Sequence, residues 1–182
     1  MELGLFPCIG WVSRELSNEK IVEKFLKIRP SNRWVMLGFH VALSDNQLWT
    51  AWHCCERRHL RGNKLARSVD AEFMRYLAGT HHVSEAFSKA GLGNEDSKGW
   101  LVYLPEGDKL TDHSVNPQSD FRELFDSQYN EILDMLNLEK IDVSPKLNLS
   151  NAIKLGLDEN NLNLENLEDS LVAFIISSEF NS

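Results

Sequence analysis

The chain has 182 residues, 42% of them hydrophobic and 25% charged, with three cysteines, Cys8, Cys54 and Cys55, that lack paired spacing. That length and usage predict one self-sufficient globular core in a reducing, cytoplasmic setting, and they exclude a disulfide framework, a collagen-like chain and a low-complexity chain. The formal net charge of −8 is uneven: residues 1–105 hold 14 Lys/Arg against 11 Asp/Glu, whereas residues 106–182 hold 5 against 16.

Leu3, Leu5, Ile9 and Trp11 alternate with other residues, the period of a half-buried strand. Pro7 within that run lacks an N–H, which predicts a strand at a sheet edge. Ser17 is the expected N-cap of a helix carrying Ile21, Val22, Phe25, Leu26 and Ile28, and Pro30 stops it. Residues 33–42 are a nearly continuous apolar run that predicts a central strand. Ser44 to Gln47 form a capping box, opening a helix with Leu48, Trp52, Cys55 and His59 on one stripe. Its end merges into residues 57–67, RRHLRGNKLAR, with five cations and no acid.

Ser68 is the expected cap of a helix bearing Val69, Phe73 and Leu77 and ended by Gly79, and Thr80 caps a short helix through Ala90. Residues 100–104 read as a strand before Pro105, 106–118 as a polar loop, and 119–137 as a helix marked by Phe121, Phe125, Ile132 and Leu136. Ile141 and Val143 predict a last short strand, Ser150 opens a short helix closed by Gly156, and a final helix runs from about 165 to 176. One α+β domain over residues 1–182 follows, a mixed or antiparallel sheet flanked by helices. No run reaches the roughly 18 apolar residues that a membrane helix needs, and the start lacks the basic flank and apolar stretch of a signal peptide, so no membrane partner is expected.

The chemistry-bearing residues do not assemble into a catalytic or metal pattern. His53, Cys54, Cys55 and His59 are metal-ligand types, but neighbouring positions on a helix diverge by about 100° and no CxxC or HxxxH spacing gathers them. Cys55 is expected buried and Cys54 half-exposed. A thiol nucleophile needs a paired base, for which no local signature exists. Phosphate-loop, dinucleotide, nucleophile-elbow and kinase motifs are absent from the sequence. The expectation is therefore a chain that is not an enzyme, with no cofactor and no metal. The basic stretch points instead to phosphate, since local charge decides such contacts even on an acidic protein. Trp49 and Trp52 lie near it as candidate stacking surface, and His81 and His82 stand at a helix start, where anions are favoured.

Residues 34–92 resemble a known family. A strand entering Gly38-Phe39-His40, a helix from Gln47 through Cys55, the segment Asn63 to Ser68, then Glu72-Phe73-Met74-Arg75-Tyr76-Leu77-Ala78-Gly79 and His81 to Phe87 are similar to the kinase-binding subunit of the KEOPS complex. The tail is similar too, in Asn151 to Glu159 and Leu167 to Phe174. The chain departs from the family at His81-His82-Val83, where Arg-Gln-Ile is usual, which makes any cationic role there protonation-dependent. The resemblance implies a non-catalytic subunit that binds the small atypical kinase of KEOPS and captures tRNA by its 3′ CCA end for threonylcarbamoylation of adenosine 37. A single-stranded CCA tail asks for a few cations and apolar platforms. On that basis Arg58, Arg61, Lys64 and Arg67 are the expected phosphate contacts, with His81 and His82 near the bases. The alternative is a protein-interaction module that regulates a kinase without touching RNA.

Overall fold

A computed structural model describes residues 3–15, 20–108 and 114–180. The elements in chain order are β1 (Cys8–Ser13), α1 (Ile21–Ile28), β2 (Trp34–Gly38), α2 (Asp45–Arg61), α3 (Val69–Leu77), α4 (Val83–Ala90), β3 (Lys98–Tyr103), α5 (Phe121–Met135), β4 (Leu138–Ile141), α6 (Leu149–Leu155) and α7 (Leu167–Ser177). The strands make one sheet in the order β2-β3-β1-β4 with every pair antiparallel. The α+β expectation holds, with the sheet antiparallel throughout.

Alternation along the strands divides the core between two faces. Val35, Leu37, Trp100 and Val102 meet α2, α3 and α4, through Leu48, Trp52, Phe73, Leu77 and Ala86. Trp34, Met36, Leu101 and Tyr103 meet α1 and α5 through Phe25, Phe125 and Ile132. A third cluster joins Leu43 to Ala152, Leu157, Leu167 and Leu171. Among the described residues, no helix is long and apolar enough to cross a membrane.

Both strand positions differ from expectation. β1 lies inside the sheet, because Pro7 comes just before it, a position that tolerates proline, and the Pro7 carbonyl still accepts from the Tyr103 N–H at 3.0 Å. β2 is an edge strand; its apolar run reflects helices on both of its faces, not a central place in the sheet.

Local signals fared by their range. The capping box is present: the Ser44 hydroxyl accepts from Gln47 N–H at 3.0 Å and the Gln47 side chain accepts from Ser44 N–H. Ser17 lies outside the described residues, and the residue preceding α1 is Lys20, left-handed at φ 74°. Ser68 makes no side-chain cap bond; the Glu72 carboxylate ties that turn by accepting from Ala66 N–H at 2.8 Å. His82, not Thr80, is the cap of α4, while the Thr80 hydroxyl accepts from His82 N–H and donates to Glu85. Asn148 caps α6 in place of Ser150.

Candidate nucleic-acid interface

α2 carries its cations to its C-terminal end, where the helix dipole favours them. The first two turn toward the end of α7. Arg58 donates through Nε and Nη2 to Glu179 Oε2 at 3.0 and 2.7 Å, and Arg57 Nη2 donates to Oε1 at 2.9 Å. The Arg58 side chain is only 18% exposed. Burial alone would raise the Glu179 carboxyl, but the hydrogen bonds from the two guanidinium groups outweigh it and hold the acid below its ordinary range. Arg58, expected from the sequence as a phosphate contact, is thus engaged in an internal ion pair and largely shielded from solvent. Its partner lies 121 residues away, beyond the reach of any local pattern.

Past Arg58 the chain turns at Gly62, left-handed at φ 69°, into a loop anchored by Ala66 and Glu72. Arg61 and Arg67 are exposed and make no ion pair or hydrogen bond among the described residues. Lys64 Nζ donates to His59 Nδ1 at 3.0 Å, which requires a neutral imidazole. Burial lowers the His59 pKa, and the Lys64 and Arg33 charges add to it against the opposing Glu56 charge, in agreement with that state. Leu60 and Leu65 are exposed between the cations. Their place inside the basic run is the signal that would have marked them as a platform. Trp49 and Trp52 are buried, with indole N–H groups donating to the Gly4 and Pro105 carbonyls, so neither offers a stacking face.

His81 and His82 stand at the other end of α3, whose nine residues span about 13 Å. His81 Nε2 donates to the Ser178 carbonyl, beside the Glu179 that holds Arg58. His82 is exposed, but Glu85, bound to Thr80 and Lys89, lies one turn along the same helix. The structure therefore splits the six candidates. Arg58 and His81 close on one C-terminal segment, Arg61 at the end of α2 adjoins Lys64 and Arg67 in the loop that follows, and His82 stands apart.

The thiols are held in their protonated form. Burial pushes Cys54 up to about 11, helped by Glu179, and drives Cys8 and Cys55 well above the ordinary thiol range. Cys54 is buried rather than half-exposed, since α7 packs on α2. Among the described residues, no three His, Cys, Asp or Glu side chains are placed to hold a metal ion. What this surface offers chemically is anion contact through two guanidinium groups that are unpaired among the described residues and an ammonium, flanked by leucine.

No family model matches the chain, and no curated protein matches it.

Proposed function

We propose that this chain is a non-catalytic subunit of a KEOPS-type complex in the cytoplasm, binding the small atypical kinase and holding tRNA by its 3′ CCA end. The observation that supports the reading is the end of α2 with the loop after it: Arg61 and Arg67 are exposed and have no acidic partner among the described residues, with Lys64 between them and Leu60 and Leu65 alongside. A CCA tail presents few phosphates and unstacked bases, which such a loop can neutralise and cover without a long basic groove. Occupation of Arg58 and His81 by the C-terminal segment favours the second reading, a kinase-binding module without RNA contact.

Binding of tRNA with and without its CCA tail, at about 50 and about 200 mM salt, separates the two. The RNA reading expects weaker binding of the trimmed tRNA. It also expects Arg61→Glu/Arg67→Glu to lower the salt slope by about 1.4, the share of two single-strand phosphates, while kinase binding persists. Equal affinity for trimmed and intact tRNA overturns CCA capture, and kinase binding without tRNA binding establishes the module reading.

A further inference from the structure

β2 is an edge strand, and its pairing leaves half of its backbone groups outside the sheet. Leu104 N–H donates to the Arg33 carbonyl, so in this register Val35 and Leu37 bond to β3 while Trp34, Met36 and Gly38 direct their amides and carbonyls outward. Two of these three are engaged. Trp34 N–H donates to the Ser31 carbonyl and its own carbonyl accepts from Arg29 Nη1 at 3.0 Å; the Gly38 carbonyl accepts from Val41 N–H. Among the described residues, nothing bonds to the outward amide or carbonyl of Met36.

A groove of about 500 Å³ lies over that edge. Val35 and Met36 both line it although their side chains enter opposite cores, which places the groove on the strand's rim and on neither face. Its walls are α1, α3 and the α4 end, and they expose Val22 (40%), Leu26 (52%) and Phe87 (47%). Asp70, also in the lining, is 6% exposed; Oδ2 accepts from Arg29 at 2.7 Å, while buried Oδ1 has no partner. Buried acceptors are almost always bonded, so an orphan in a groove marks a place for an incoming donor.

We propose that this groove binds an extended apolar peptide segment of a partner protein, added as a strand to β2. Backbone groups aligned at a strand edge are matched by another extended backbone, which exchanges two bonds with Met36 and sends alternate side chains to Leu26 and to Phe87. Arg29 and Asp70 neutralise each other, so the matching segment is uncharged, with an N–H or O–H donor near Asp70 Oδ1. The engaged ends at Trp34 and Gly38 keep the ladder short. Met36 is 3% exposed between those helices, so a bare extended segment reaches the edge more readily than the strand of a second folded copy. This inference does not rest on the RNA reading.

The test pans phage-displayed random heptapeptides against the full chain, with Leu26→Glu/Phe87→Glu, altered only at exposed positions, as the subtraction control. Peptides with alternating apolar residues should be enriched. One of them, measured by calorimetry, should lose about tenfold in affinity when the single amide facing Met36 is N-methylated, the effect of one lost buried bond. The double variant should bind at least tenfold more weakly while keeping the parent's melting temperature. No enrichment, equal enrichment on the control variant, or affinity that survives N-methylation at every position each overturns the proposal.

Discussion

At Gly79 the backbone is left-handed, φ 61°, and a Cβ built there overlaps the Phe174 ring. Both facts weigh against a side chain, by about 1–2 kcal/mol for the conformation and about 1–3 kcal/mol for the overlap. Gly79→Ala should therefore lower unfolding stability by about 2–5 kcal/mol in a denaturant titration. Adding Phe174→Leu should return the packing part and leave the conformational part; a pair of changes that are simply additive would place the cost elsewhere. The sequence marked this glycine as a helix stop, since that property is local. Its contact with a ring 95 positions later was not legible, and a still longer separation, 121 residues, hid the Glu179 partner of Arg58. Another such pair is Arg33 with Glu56, where a two-bond contact is buried and the carboxylate also accepts from Gly107 N–H. Charged residues read as solvated faces until a distant partner removes them from water. By contrast, Ser44 and Gln47 were readable because donor and acceptor are three residues apart.

Elements were legible where periodicity is strong, and their places in the sheet were not. Alternation identifies a strand and proline hints at an edge, but order across the sheet is decided by partners far along the chain. The same holds for α7, which the apolar pattern predicts while its fastening depends on Glu179 and the two arginines of α2. That fastening has a pH signature. With the folded Glu179 pKa below 4.5, its contribution is complete above that value and is lost as pH falls through the folded pKa. Amide protection in the last turn of α7 should therefore drop on the acid side of pH 4.5 in the parent chain. Glu179→Gln should show reduced protection already at pH 6, with little further acid response in that turn. Parallel profiles for the two proteins would show that the ion pairs do not hold the helix end.

At the scale of the whole molecule, the acid-rich half of the chain is built into the fold and is not appended to it. α7 places Leu167 and Leu171 in the cluster with Leu43 and Ala152, yet sets Ile175 in the main core beside α2 and α3. One helix thus spans two clusters, and its end is ion-paired to the basic end of α2. All five tryptophans lie within the first 100 residues, so their fluorescence reports the N-terminal part, while far-UV circular dichroism reports every helix. Thermal unfolding followed by the two probes should superimpose, the signature of one cooperative unit. Leu171→Ala, a fully buried truncation in the C-terminal cluster, should cost about 2–5 kcal/mol. For a chain of this size that lowers Tm by about 4–20 °C, and the shift should be equal in both signals although position 171 is remote in sequence from every tryptophan. A dichroism change that precedes the fluorescence change, or a Leu171→Ala effect seen in one signal alone, would instead make the acidic half a separately melting unit. The uneven charge would then mark a boundary in stability. In the coupled case it marks two regions of one fold, held together partly by the attraction between them.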